Sequence, residues 1–268
     1  MQCNHDCKSC KSKCEHDKSS LLVNTNQYNH IKKIVGIVSG KGGVGKSATT
    51  SLVAVQMAKL GYKVGILDAD ITGPSIPQAF GIHESVKGSN KLMLPNESKL
   101  GIKVMSVNLL IENESDPVVW RGPVIAGAVK QFYTDVVWGD LDYLFVDMPP
   151  GTGDVALTVF QSLPIDGVII VSTPQDLVKM IVGKACKMAD MLHVKKYGLV
   201  ENMSYIKCKC GEILEPFGKS KLEDVAKTFN LEPLAKMPID PKLSLLVDKG
   251  EIENYDLPDL TAIVQALQ

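Results

Sequence analysis

An α/β fold, with a mostly parallel sheet and helices on both faces, is predicted by three features of this chain. Short apolar runs rich in β-branched residues alternate with helical patterns from Ile31 onward. The first run passes into Gly40-Lys41-Gly42-Gly43-Val44-Gly45-Lys46-Ser47, which fills every fixed position of the phosphate-loop pattern G-x-x-x-x-G-K-[ST]. Aspartates close two later runs, at the strand ends where sheets of this kind place their ligands.

The elements follow in order. Lys33 to Val38 reads as a buried strand, and Ala48 to Leu60 has helical composition and apolar spacing, ending at Gly61. Strand, glycine-rich loop and helix are the context that the phosphate pattern requires. Val64 to Leu67, Leu141 to Val146, Gly167 to Ser172 and Tyr197 to Val200 read as further strands. Helices are expected near 154–163, 176–192, 219–229 and 257–267. Residues 82–118 carry no clean period and read as an insertion, a hairpin or a lid. Residues 1–28 form a polar, cysteine-rich tail that cannot fold around a core of its own and needs a metal or a partner to order it. Residues 29–268 form the α/β domain.

Composition narrows the function. Of the 268 residues 45% are hydrophobic, enough for a substantial core, and the formal net charge of −1 gives no general attraction for nucleic acid or an anionic membrane. No apolar stretch is long enough to span a bilayer, and Met1 to Ser20 lacks the apolar core of a signal peptide. A cytoplasmic location is the expectation.

The loop residues explain themselves chemically. Gly40, Gly42, Gly43 and Gly45 let backbone N–H groups, Val44 included, close around phosphate oxygens. Lys46 reaches the β- and γ-phosphates, Ser47 can ligate Mg²⁺, and the following helix offers its positive end to the anion. Phosphoryl hydrolysis then needs a held Mg²⁺, a positioned water and positive charge near the phosphates. Asp147 closes an apolar strand and suits the metal. Asp70 or Asp68 can orient the water, and the Gly151 N–H can reach the γ-phosphate. Asp154 reads as a helix cap.

Six of the seven cysteines fall in two clusters. In a reducing compartment such clusters point to metal or redox chemistry. Cys3, Cys7, Cys10 and Cys14 supply four thiols, enough for one [4Fe–4S] cluster or one tetrahedral Zn²⁺. The iron–sulfur cluster is the favoured occupant, with His5 and His16 keeping zinc open and a metal-free tail as the third reading. Cys208 and Cys210 are separated by one residue on a basic loop, and Cys186 reads as a small core residue.

The lysine at position 41, directly after the first glycine, resembles the deviant Walker A motif of the MinD/ParA/nitrogenase-iron-protein class of ATPases. Leu67 to Pro77, Trp120 to Pro123, Asp147 to Asp154, Ser172 to Gln175 and Glu201 to Ser204 together resemble the Mrp (ApbC-like) iron–sulfur cluster carrier ATPases. The resemblance covers about residues 31–268. It implies a P-loop NTPase fold and a homodimer with ATP sites near the subunit interface, where Lys41 reaches the partner's nucleotide. It implies that Asn202, by itself a strand-end turn residue, reads adenine, with Met237 to Asp240 near the base. It implies that a C-x-x-C pair from each subunit holds a bridging [4Fe–4S] cluster that passes to apo-proteins. Cys208 and Cys210 stand at that place with a shorter spacing. Two other functions share parts of the pattern: ATP-driven electron transfer, and a metal-free positioning ATPase. The second needs a basic or membrane-binding C-terminus, whereas Pro258 to Gln268 contains no Lys or Arg and reads as an ordinary packing helix.

Overall fold

The computed structural model describes residues 22–70, 75–89, 92–110, 122–175, 178–208 and 210–268. β1 (His30–Ser39) leads into α1 (Lys46–Lys59) and β2 (Val64–Asp68). α2 (Ile76–Ala79), β3 (Lys87–Ser89), β4 (Leu92–Leu94), β5 (Asn96–Glu97) and β6 (Lys103–Met105) follow. Next come α3 (Gly122–Thr134), β7 (Asp140–Asp147), α4 (Asp154–Ser162), β8 (Gly167–Ser172), α5 (Val178–Met191) and β9 (Lys195–Lys207). The chain closes with β10 (Ile213–Leu214), α6 (Leu222–Phe229), β11 (Pro233–Pro238), α7 (Pro241–Asp248) and α8 (Thr261–Leu267).

The main sheet has the order β10-β9-β8-β1-β7-β2-β6-β5, with β11 also paired to β9. Pairing is parallel except at β5–β6 and β9–β10. Side chains alternate across it as a period of two requires. On β1, Ile34 and Val38 enter one apolar core while Val35 and Ile37 enter the other. Helices α3, α4, α5 and α6 close the first core, and α1, α2, α7 and α8 close the second. Trp138, Phe132 and Phe145 are among the largest side chains buried completely, each contributing about 2–3 kcal/mol of transfer free energy.

This topology fixes where a ligand can sit. The connection from β1 through α1 passes over β7 to reach β2, on one face. The connection from β7 through α4 passes over β1 to reach β8, on the other. The chain therefore parts at the carboxyl end of β1 and leaves a crevice there.

Elements that the sequence pattern does not reveal have local causes. Strand β11 is bounded by Pro233 and Pro238, which lack N–H donors and fit only an edge. Helix α7 begins with Pro241 in its first turn, and Asp240 caps it by accepting from the Lys242 N–H at 2.8 Å. Within 82–110 the structure holds the antiparallel pairs β3–β4 and β5–β6. Asp154 opens α4 with Gly153, not Asp154, at the cap position. Helix α8 buries Ile263 and Leu267 completely, as a packing helix does. No helix among the described residues is long and apolar enough to cross a membrane.

The segment 22–29 lies against the domain. Val23 N–H donates to the Ser162 carbonyl, and Asn26 and Asn29 side chains bridge to the turn between α3 and β7. Cys3, Cys7, Cys10 and Cys14 lie outside the described residues.

Candidate functional site

The loop between β1 and α1 opens onto a cavity of about 300 Å³ lined by Gly42, Gly43, Gly45, Lys46, Ser47, Asp70 and Pro150, among others. Gly43 and Gly45 both have φ +77°, a left-handed conformation that glycine tolerates without strain. Gly40 and Gly45 are also fixed by space. A Cβ at Gly40 would lie 2.3 Å from Ile181, and one at Gly45 would lie 2.1 Å from Asn202 Nδ2.

Lys46, only 5% exposed, points its ammonium at two carboxylates, Asp147 at 2.9 Å and Asp70 at 3.2 Å. Burial works against the charged form, but Asp147 and Asp70 outweigh it, and the Lys46 pKa stands above the ordinary lysine value. A buried ammonium on the wall of this cavity has three donors for two carboxylate partners, and beside the left-handed backbone of Gly43 and Gly45 it fits a phosphate group.

Asp147 is fully buried at the end of β7 and is held from α1. Ser47 Oγ donates to its Oδ2 at 2.5 Å, and Thr50 Oγ1 donates to its Oδ1 at 2.7 Å. A carboxylate and a hydroxyl side by side below the loop form an oxygen donor set suited to Mg²⁺. Thr50 had no role in the sequence reading. Its signal was present, because residues three apart on a helix share a face.

Asp68 and Asp70 separate by position. Asp68 is 1% exposed and pairs in register with Asp147 across β2–β7. Ser106 Oγ and the Asp70 N–H both donate to it. Burial, reinforced by the Asp147 charge, holds its carboxyl well above the usual range despite Lys46 and Ser106. Asp70 lines the cavity itself.

The remaining predicted residues surround the loop. Gly151 N–H donates to the Ser39 carbonyl at 2.9 Å, with the Gly151 backbone at φ +82°. Asn202 is buried, and its Nδ2 donates to the Val44 carbonyl at 2.8 Å. A contact to a base would therefore use its oxygen or its second N–H, or open this bond. Lys41 lies against its own chain, donating to Gln175 Oε1, a partner that the sequence reading did not assign. Met237 touches the same helix, with Thr49 Oγ1 3.7 Å from its sulfur.

Cys208 and Cys210 sit at the same end of the sheet, beyond the end of β9. Gly211 N–H donates to the Cys208 carbonyl and closes a tight turn, and Cys208 N–H donates to the Glu212 carbonyl. Cys208 is half-buried and Cys210 exposed, and neither is in a disulfide. Among the described residues no three His, Cys, Asp or Glu side chains gather where they could hold a metal ion.

A family model described as NUBPL iron-transfer P-loop NTPase, of the ParA group, matches residues 30–267. The chain belongs to this family. It is 48% identical over 236 residues to the iron-sulfur cluster carrier protein of Clostridium perfringens, covering 85% of this chain and 83% of that one. It is 42% identical over 258 residues to the protein of the same name from Methanocaldococcus jannaschii, covering 93% and 89%. Among solved structures, a nucleotide-binding protein from Archaeoglobus fulgidus in complex with ADP has 44% identity and a TM-score of 0.76, over 86% of this chain and 91% of that one. The MinD cell division protein of Aquifex aeolicus, at 21% identity, TM-score 0.59 and coverage of 88% and 94%, shares the fold. These matches agree with the mostly parallel, phosphate-loop fold and the family resemblance read from the sequence.

Proposed function

We propose that this family member binds and hydrolyses ATP and carries an iron–sulfur cluster that it passes to apo-proteins. One observation carries the reading. The phosphate loop and the Cys208–Cys210 turn lie at the same end of the sheet, and one strand, β9, reaches both: Asn202 holds the loop and the thiols follow the strand's end. The relatives named as iron–sulfur cluster carriers, and the ADP complex of the Archaeoglobus protein, support it.

In this reading Gly40 to Ser47 cradle the phosphates of ATP. Ser47 and Asp147 would hold Mg²⁺, which offsets the charge on the phosphates. Asp70, on the cavity wall, orients the attacking water, and Asp68 supports it from behind. Lys41 leaves Gln175 to reach the nucleotide of a second copy, placing positive charge where it develops during transfer. The cluster is cargo. A four-iron cluster takes four thiolates, and one chain brings two, so a homodimer completes the site. Cys3, Cys7, Cys10 and Cys14 provide a separate candidate site. Nucleotide state governs cluster release only through unequal affinity for holding and releasing conformations.

The test is anaerobic reconstitution, with iron and sulfide measured per chain. Replacing Cys208 and Cys210 together with Ser should remove about two iron per chain, half of a shared four-iron cluster. Unchanged iron would reject the pair as the carrier site. Transfer to an apo-ferredoxin at the same rate with and without Mg·ATP would reject the coupling to ATP.

A further inference from the structure

Strand β9 is not uniform along its length. At Glu201 it pairs with Ser172 of β8 on one side and with Lys236 of β11 on the other. Its next partner on β11 is Pro238, which faces Tyr205, so two steps along β11 match four along β9. The excess is taken up by Asn202, Met203 and Ser204. Met203 sits in the left-handed region at φ 56°, where a residue that is not Gly, Asn or Asp is seldom found. Bulges of this kind bend a strand and re-aim the residues beyond them, and they gather beside functional sites.

The bulge is tied on both sides. Toward the loop, Asn202 donates to the Val44 carbonyl, and a Cβ added to Gly45 would lie 3.7 Å from Met203 Cε. Toward the cysteines, Glu201 spans the bulge. One carboxylate oxygen accepts from Ser204 Oγ at 2.7 Å, and the other accepts from the Lys221 N–H at 2.9 Å, where the chain returns from the hairpin into α6. Beyond the bulge, Ile206 and Lys207 pair with β10, and the Cys208 turn comes at once.

We propose that the Asn202–Ser204 bulge couples nucleotide occupancy of the loop to the placement of the Cys208–Cys210 turn, with Met203 as its positioning residue. The inference rests on the carrier reading above. Coupling between sites needs an element with two discrete arrangements that both sites bias. A left-handed methionine inside a strand provides one, because its extended conformation is the intrinsically easier one. A loop closing on phosphate pulls on Asn202 and shifts that balance. Moving Met203 to the extended region changes the register of Tyr205 to Lys207 and turns the thiols with it.

The test uses the full-length, cluster-free, reduced chain. Alkylation of each cysteine by N-ethylmaleimide is timed by peptide mass spectrometry with and without saturating Mg·ADP, and calorimetry follows nucleotide binding separately. In the native chain, nucleotide should change the rate at Cys208 or Cys210 by about fivefold or more. In Met203→Gly, which is equally at ease in both conformations, that change should collapse. In Met203→Asn, which tolerates the left-handed region, it should persist. Binding with no change in thiol reactivity, or a full response in Met203→Gly, overturns the coupling alone. Absence of calorimetric binding overturns the nucleotide reading and the coupling with it.

Discussion

Lys46 and Asp147 meet at 2.9 Å, the lysine opening α1 and the carboxylate ending β7, and both are buried. Each is the other's main charge partner, with Asp70 beside them. Replacing Lys46 with Ala removes the proposed phosphate contact and leaves a buried carboxylate without its cation. Removing one partner of a buried pair costs about 3–5 kcal/mol, less here because Ser47 and Thr50 still donate to Asp147. Lys46→Ala should lose calorimetric ATP binding and melt at a lower temperature. Wild-type affinity would remove Lys46 from the site.

Thr50 tests the proposed Mg²⁺ position. Its single hydroxyl hydrogen serves Asp147, which is nearer than its alternative partner, the Lys46 carbonyl (2.7 against 3.0 Å), and charged. Thr50→Val keeps the shape and removes the donor, leaving one oxygen of Asp147 unrestrained. Loss of such a bond is worth about 1.4 kcal/mol, or roughly tenfold in affinity for Mg·ATP. Thr50→Ser should restore it. With EDTA present the difference should shrink, and an undiminished gap would mean that Thr50 acts on the loop and not on the metal position.

Gly43 and Gly45 share one backbone angle and differ in their surroundings. An added Cβ at Gly43 meets nothing within 4 Å, whereas one at Gly45 meets Asn202 Nδ2 at 2.1 Å. Gly43→Ala should therefore carry only the left-handed penalty, about 1–2 kcal/mol. Gly45→Ala must also displace Asn202 and break its bond to Val44. Nucleotide affinity and melting temperature should both fall further for Gly45→Ala. Equal losses would show that Asn202 yields freely and does not brace the loop.

Much of the fold was legible because strands buried on both faces read as unbroken apolar runs. Val64 to Leu67, Leu141 to Val146 and Gly167 to Ser172 differ from β2, β7 and β8 by a residue or less at either end. The apolar pattern of β9 stops at Val200 but the strand runs to Lys207, because Glu201 and Asn202 look like a strand end when they mark a bulge. Helices α3 and α7 escape the pattern although Pro123 and Pro241 announce helix starts. At the site, residue types pointed to the loop and to Asp147, which the fold brings together. They did not reveal Thr50, Gln175 or Ser106, whose roles exist only once the sheet brings separate segments together.

Asn29 separates stability from ligand binding. Its buried amide donates to the Val136 carbonyl at 2.8 Å and to Thr25 Oγ1 at 2.6 Å, and its oxygen accepts from the Gly139 N–H at 3.0 Å. The side chain thus fastens the entry to β1 onto the turn before β7. Asn29→Ala leaves the Gly139 N–H without this acceptor. Val136 retains Asn26 as a donor. The expected cost is about 1–3 kcal/mol, read as a lower urea midpoint at unchanged slope. Asn29→Asp keeps the acceptor for Gly139 but turns an oxygen toward the Val136 carbonyl, so it should not rescue. The loop lies at the far end of β1, ten residues away and roughly 30 Å along the strand, so ATP affinity should hold in both variants. A matching loss of affinity would mean that strain at the foot of β1 reaches the phosphate loop.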